Sequence, residues 1–240
     1  MDSQERNRVF YAIFSTALFL IIIWGVQILI EWGGVSEWRS AGNHPKEWGH
    51  WWGVLSMAFL HGSWEHIWNN TASFVVLNTM LFCFYREIAL KVWGVIFLFS
   101  GLFVFFLGVP GSNHVGASGV VYGLAFFVFT AGMMDVKHTA LLRVSMAVLF
   151  LYGSIIWGIF PIEERVSWEG HLGGALAGVL LAFVYRKELP ERPKTRWEIE
   201  EELELLKSER DASNPVKPNG KTSIVQIYRQ LRHRGIDRGF

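Results

Sequence analysis

The chain has 240 residues, of which 51% are hydrophobic and 18% are charged. This composition excludes a soluble domain, because the apolar residues are gathered in blocks close to the ~20 residues that cross a bilayer core. The net charge of +1 points to no nucleic-acid partner, and we expect none. The single cysteine, Cys83, excludes an intrachain disulfide and a thiolate metal site.

Six apolar blocks predict an all-α polytopic membrane protein with six transmembrane helices. The blocks are Val9–Ile30, Ile67–Tyr85, Ile88–Val109, Val115–Met134, Ala140–Phe160 and Gly170–Tyr185. Lysine and arginine are concentrated at the helix ends on the side that holds both termini, and such a bias marks the cytoplasmic side. We therefore expect a multi-pass protein of the bacterial cytoplasmic (inner) membrane, with both termini in the cytoplasm.

A polar lead at residues 1–8 precedes the first predicted helix. Tryptophan is concentrated in the segment after that helix. Seven of the twelve tryptophans lie between residues 32 and 68. Tryptophan prefers the headgroup level of a bilayer. This outer loop is therefore either an interfacial anchor or a platform that helps to place a substrate.

The second predicted helix carries polar residues at its outer end, among them His61, His66 and Asn70. His66 and Asn70 are four residues apart, so they share one helix face. They are either interhelical hydrogen-bond partners or donors to an oxyanion that forms during a reaction.

Ser118 lies where a Gly-rich polar loop gives way to the fourth predicted helix. The first N–H groups of a helix have no intrahelical acceptor, and the dipole is positive there. Ser118 is therefore either a helix cap or a nucleophile whose oxyanion those N–H groups would hold. Tyr122, on the same face, is either a core aromatic or a ring that stacks on a catalytic imidazole.

The sixth predicted helix begins next to His171, and imidazole is the usual base that activates a serine. Small residues spaced by four allow two membrane helices to approach closely. Such pairs are Gly119 and Gly123 on the fourth helix and Gly174 and Gly178 on the sixth. The second, fourth and sixth helices run in the same direction, so His66, Ser118 and His171 are expected at similar depth and within reach of one another.

Spacing excludes an α/β-hydrolase triad and disfavours a metal site on His61, His66, His114 and His171. The α/β-hydrolase motif needs a glycine where Val120 stands, and no acid completes a triad, since Asp135 is at the far end of its helix and Glu169 is on another face than His171. The zinc-protease spacing His-Glu-x-x-His is missing. We expect a Ser-His dyad without metal or cofactor.

Beyond the membrane domain at residues 9–187, residues 188–240 form a polar cytoplasmic tail. Arg196–Glu209 predicts an amphipathic helix, and Asp211–Lys221 predicts a linker. Residues 222–240 are rich in arginine. Two readings stay open for this basic end: attraction to anionic lipid at the inner face, and a plain solvated tail.

The chain resembles the rhomboid intramembrane serine proteases over about residues 9–187. The resemblance rests on His61, His66 and Asn70 in the second helix, on Gly116-Ala117-Ser118-Gly119 with Tyr122 in the fourth, and on His171, Gly174 and Gly178 in the sixth. Trp38-Arg39 in the outer loop is similar to that family's Trp-Arg pair, with a glutamate adjacent at Glu37.

The resemblance implies a six-helix bundle with Ser118 as nucleophile and His171 as general base. It implies an oxyanion hole made by His66, Asn70 and the Ser118 N–H, and a supporting role for Tyr122. The implied substrates are single-pass transmembrane proteins, cut near the outer face, with membrane lipids around the bundle. The oligomeric state is left open.

Two functions of another class compete with proteolysis. One is a non-catalytic membrane-protein binding or quality-control factor. The other is a small transporter, which would show charged or paired polar residues near the middle of its helices and inverted repeats. Here the polar layer lies in one leaflet, which disfavours the transporter.

Overall fold

The structure is a computed structural model that describes residues 3–134, 136–162, 166–192 and 194–213. The chain divides into two compact units, Met1–Pro190 and Glu191–Phe240. The α-helices are α1 (Ser3–Trp32), α2 (Gly53–Ser56), α3 (Trp64–Phe84), α4 (Arg86–Leu107), α5 (Ser118–Met133), α6 (Thr139–Tyr152), α7 (Trp168–Val184) and α8 (Arg196–Ser213). The described residues form no β-strand beyond an isolated bridge between Asn43 and His114.

The first unit is a bundle of long apolar helices. Among the described residues, the segments Arg6–Trp32, Arg86–Leu107 and Thr139–Ile159 are long and apolar enough to cross a membrane, and α5 and α7 are shorter apolar helices. The protein is therefore a multi-pass membrane protein with an all-α fold, as predicted. Each of the six predicted blocks overlaps one long helix, and the bounds differ most at α1, which begins earlier, and at α6, which ends earlier.

Two helices differ from their predicted ranges in ways that concern the site. Helix α5 begins only at Ser118, because the three residues before it belong to the preceding loop. Helix α6 ends at Tyr152 and continues as a 3₁₀ helix, Gly153–Ile159. Helix α5 is thus 16 residues and about 24 Å long, shorter than the ~30 Å hydrocarbon core of a bilayer.

Helix α5 is the centre of the bundle. It packs against α3, α4, α6 and α7, while α1 packs on α3. Eleven of its sixteen residues are buried, on all sides of the helix. A helix that is apolar all round is expected in such a place, because its neighbours remove every face from solvent. Ser118, its first residue, is therefore held by helices on several sides.

The outer loop between α1 and α3 contains α2 and three 3₁₀ turns, Ser36–Ala41, Trp48–His50 and Met57–Phe59. Its Asn43 is fully buried and exchanges two backbone hydrogen bonds, of 2.9 and 3.0 Å, with His114. The Asn43 side chain donates to the Gly101 carbonyl of α4 at 2.8 Å. These bonds fix the outer loop to the segment that leads into Ser118.

The second unit contains α8, which covers the predicted tail helix and extends four residues beyond it. A reciprocal cap begins it: the Thr195 N–H donates to Glu198 at 2.8 Å, and the Glu198 N–H donates to Thr195 Oγ1. The Arg192 guanidinium, followed by the backbone N–H and the hydroxyl of Thr195, lowers the pKa of Glu198 to about 2. The basic end and the linker from residue 214 onward lie outside the described residues, as does Asp135.

Candidate active site

Ser118 and His171 are in direct contact. Ser118 Oγ lies 2.7 Å from His171 Nε2, across the interface of α5 and α7. The local pattern alone left Ser118 open as a helix cap. In the structure Ala117 is the N-cap of α5, and Ser118 is the first helical residue, with its hydroxyl bonded to the imidazole.

The contact of His171 Nδ1 shows which group donates in the hydrogen bond between Ser118 and His171 Nε2. Nδ1 lies 2.9 Å from the backbone carbonyl oxygen of Gly158, which can only accept a hydrogen bond. Nδ1 therefore carries the proton in the neutral ring, and Nε2 presents its lone pair to the hydroxyl of Ser118. This is the tautomer that a general base toward serine requires.

The aromatic ring of Tyr122 lies flat on the imidazole. The two ring centroids are 3.9 Å apart and the planes are inclined by only 6°. The two rings are therefore in stacking contact. This contact fixes the plane of the His171 ring, and the two ring-nitrogen hydrogen bonds fix its rotation within that plane.

Glycines line the contact between α5 and α7. A Cβ atom on Gly174 would overlap the Gly119 carbonyl oxygen, and one on Gly178 would overlap that of Gly123. Gly170 lies one turn before Gly174 on α7 and makes a similar contact. A Cβ on Gly119 would lie 2.8 Å from the Gly170 carbonyl oxygen. Backbone therefore meets backbone along α5 and α7, and the dyad lies where this contact begins, near the N-termini of both helices.

His66 and Asn70 of α3 lie beside Gly116, two residues before Ser118. Gly116 has φ +125°, a conformation that L side chains rarely adopt. A Cβ on it would lie 2.6 Å from the His66 ring and 3.6 Å from Asn70 Nδ2. Asn70 is 5% exposed, and its Nδ2 has no hydrogen-bond partner within the described part of the chain. This donor is thus available beside the N-terminus of α5.

His61 lies behind His66, with the two rings edge to face at 5.1 Å. It is fully buried, and neither ring nitrogen has a partner among the described residues. Burial, and to a smaller extent His66, lowers the pKa of His61 to about 3. The ring is therefore neutral at physiological pH, and the site is free of a fixed positive charge from this residue.

Sequence patterns did not indicate the group of residues that holds the Gly116 loop. The Met57 carbonyl accepts from the Gly116 N–H at 2.8 Å. His114 bonds through Nδ1 to Ser167 and through Nε2 to Ser112, both at 2.7 Å. Burial lowers the pKa of His114, and His44 lowers it further, whereas Glu169 raises it. These contacts tie the segment before Ser118 to the segment before α7.

Arg39 of the Trp-Arg pair has its ionic partner in α1. It forms a salt bridge with Glu31 rather than with the adjacent Glu37. The Arg39 carbonyl accepts from Asn113 Nδ2 at 2.7 Å. The pair therefore connects the end of α1 to the loop that leads into Ser118. In the described ranges, no three His, Cys, Asp or Glu side chains are close enough to hold a metal ion.

Comparison with known proteins gives the family of the chain. The family model described as "Rhomboid domain" matches residues 48–188. Uncharacterized proteins of Mycobacterium bovis and Mycobacterium tuberculosis are each 31% identical over 202 residues, which are 79% of this chain and 82% of theirs. An uncharacterized protein of Mycobacterium leprae is 31% identical over 153 residues, 60% of this chain and 59% of its own. The chain belongs to the rhomboid family, a family of intramembrane proteases.

Proposed function

We propose that this protein is a serine endopeptidase that hydrolyses peptide bonds in or next to the transmembrane helices of membrane-protein substrates. The observation that carries the proposal is the 2.7 Å contact between Ser118 Oγ and His171 Nε2 at the outer end of the α5–α7 interface. Family membership supports the same class of reaction. The dyad contains no acid.

The reaction begins with Ser118. Its oxygen attacks the carbonyl carbon of the scissile peptide while its proton passes to His171 Nε2. The Gly158 carbonyl and the Tyr122 ring hold the imidazolium that results. The imidazolium then gives its proton to the leaving amine as the carbon–nitrogen bond breaks, which leaves an acyl group on Ser118.

Water completes the cycle. His171 accepts a proton from a water molecule, whose oxygen attacks the acyl carbon, and the proton then returns to Ser118 Oγ as the carboxylic acid leaves. Ser118 and His66 are only partly buried, so the water has access from the side on which α3, α5 and α7 begin. This arrangement reconciles hydrolysis with a membrane location.

The negative oxygen that forms in both steps is stabilised by donors on two helices. They are the Ser118 N–H at the start of α5, Asn70 Nδ2, and the His66 ring. Each such donor contributes about 3 kcal/mol to the transition state. Gly116 leaves room for these donors, because any side chain there would occupy the space of the His66 ring.

Substrates of this site are single-pass transmembrane proteins with a small residue near the outer membrane face. A helix must unwind locally before its peptide carbonyl reaches Ser118, and small residues permit this. The positive-inside bias places both termini in the cytoplasm and the site toward the outer face of the bacterial cytoplasmic membrane. Membrane lipids surround the bundle.

The test uses the purified full-length protein, a fluorophosphonate probe and a reporter substrate with one transmembrane helix. The wild type is expected to be labelled at Ser118 and to cleave the reporter. Ser118→Ala is expected to lose labelling and to lower cleavage by about 10⁴-fold or more, and His171→Ala to do the same. The same activity with and without a chelator is expected, because no step uses a metal.

Ser145→Ala is the matched control. The Ser145 hydroxyl is buried in the bundle and donates to backbone carbonyls of α5, at 3.3 Å to Val128 and 3.0 Å to Phe129. This variant should keep both labelling and cleavage. Cleavage that persists in Ser118→Ala contradicts the proposal. A wild type that retains the reporter without cutting it supports the non-catalytic binding factor.

A further inference from the structure

Gly158 lies at the end of the 3₁₀ helix Gly153–Ile159, which continues α6. The last carbonyl groups of a helix have no intrahelical donor. The Gly158 carbonyl faces the dyad and lies 2.9 Å from His171 Nδ1. A third membrane segment therefore reaches the dyad, in addition to α5 with Ser118 and α7 with His171.

This carbonyl occupies the place that a carboxylate takes in a Ser-His-Asp triad. Such a carboxylate holds the imidazole in the correct tautomer and stabilises the imidazolium that forms. A backbone carbonyl is an acceptor only, so it selects the same tautomer without a buried negative charge. A charge of that kind is costly within the membrane.

The position requires a glycine for a reason other than backbone conformation. A Cβ atom on Gly158 would overlap the Tyr122 hydroxyl oxygen and would lie 3.2 Å from His171 Nδ1. Tyr122, His171 and Gly158 are thus packed against each other without space for one more carbon. A substitution at Gly158 must displace the carbonyl, the tyrosine ring or the imidazole.

We infer that Gly158 is a positioning residue of the dyad, whose backbone carbonyl holds His171 as the Nδ1–H tautomer, and that the 3₁₀ helix after α6 thereby controls the reactivity of Ser118. This inference rests on the proposed serine protease function. It predicts that a single methyl group at residue 158 impairs the chemical step while substrate binding is preserved.

The experiment compares Gly158→Ala, Tyr122→Phe and the double variant with the wild-type full-length protein. Gly158→Ala is expected to lower kcat by about 10²–10⁴-fold, the range for loss of the correct tautomer, with KM changed less than about threefold. Removal of the Tyr122 hydroxyl vacates the space that the Cβ needs. The double variant should therefore have a kcat at least about tenfold higher than that of Gly158→Ala. Tyr122→Phe alone should not exceed the wild type in kcat.

Gly153→Ala is the matched control. It adds the same methyl group to the other end of the same 3₁₀ helix, where the nearest atom, Leu149 Cδ1, would be at an ordinary 3.6 Å. This variant should match the wild type in kcat and in unfolding temperature. A kcat for Gly158→Ala that equals the wild-type value would overturn the inference, as would a loss that the double variant does not relieve.

A second readout does not depend on proteolysis. ¹⁵N NMR of histidine-labelled protein distinguishes the two neutral tautomers, and the His171 signal is the one absent from His171→Gln. The wild type should show the Nδ1–H tautomer, and Gly158→Ala should show a mixture or the other tautomer. An unchanged tautomer in Gly158→Ala contradicts the inference. If the wild type cleaves no substrate, the proposed function fails, while the NMR comparison still decides whether Gly158 holds His171.

Discussion

Asparagine side chains in α3 illustrate how the environment of one residue type separates structure from chemistry. Asn78 lies about two turns from Asn70 on the same helix. Its Nδ2 donates to Ser15 and Thr16 of α1 at 3.1 and 2.9 Å. The Asn70 Nδ2, in contrast, has no hydrogen-bond partner in the described part of the chain. An unpaired buried donor costs about 1–3 kcal/mol, which favours a role in function for Asn70.

At the residue scale, Asn70→Ala is therefore expected to lower kcat by about 10²–10³-fold, the effect of removing one oxyanion donor. The Asn70 Nδ2 has no partner among the described residues, so its removal should not lower the unfolding temperature. Steady-state cleavage of a reporter substrate and thermal unfolding in detergent measure the two quantities separately.

Asn78→Ala is the control for this prediction and should show the opposite pattern. It removes interhelical hydrogen bonds that are worth about 1 kcal/mol in membrane proteins, so stability should fall while kcat of the folded enzyme stays within a fewfold of the wild type. Equal kcat values for Asn70→Ala and the wild type would remove Asn70 from the oxyanion hole.

At the scale of elements, the contact between α5 and α7 determines how far Ser118 is from His171. Gly174 is at its centre, because its Cα lies against the backbone of Gly119. A Gly174→Ala variant cannot keep this distance, since a backbone atom cannot rotate away as a side chain does. Overpacking of this kind typically costs about 1–3 kcal/mol. We expect Gly174→Ala to lower the unfolding temperature and to lower cleavage by at least tenfold.

Gly94→Ala provides the comparison for the packing prediction. Gly94 is also a glycine in a membrane helix, but a Cβ there would meet nothing within 4 Å. Alanine is the better helix former by about 1 kcal/mol. This variant should be as stable as the wild type or more so, with unchanged cleavage. If Gly174→Ala behaves in the same way, the α5–α7 contact is not what holds the dyad together.

The same elements show which parts of the site can be predicted from the sequence. Helical spacing relates Ser118 to Tyr122, and glycine spacing predicts the α5–α7 contact, because side-chain identity carries both signals. Gly158 acts through a backbone carbonyl, which leaves no trace in the residue type. Asn43 lies in an irregular loop, where no period relates it to its partner Gly101. Polar side chains on helices were therefore predictable, and backbone-mediated support from loops was not.

At the scale of the whole molecule, the boundary between the two units gives the last prediction. The membrane unit ends at Pro190, three residues beyond the predicted end of the membrane domain. Glu188 forms a surface salt bridge with Lys91 at 3.7 Å, and Leu189 packs on the hydrophobic core. The salt bridge contributes only about 0–1 kcal/mol to stability, because both side chains are exposed. Removal of residues 188–190 would therefore lower stability mainly through the lost packing of Leu189.

A chain truncated after Pro190 should therefore keep the unfolding temperature of the full-length protein and cleave the reporter at a rate within about threefold of it. A chain truncated after Lys187 should unfold at a lower temperature, because it lacks the apolar packing of Leu189, while its dyad stays intact.

Parallel thermal unfolding and cleavage assays in the same detergent separate these effects. Loss of cleavage after truncation at Pro190, at an unchanged unfolding temperature, would mean that residues 191–240 take part in catalysis or substrate capture. Equal rates in detergent but a slower rate in vesicles of anionic lipid would instead assign the tail to membrane attachment, since its basic end would then act through the lipid surface.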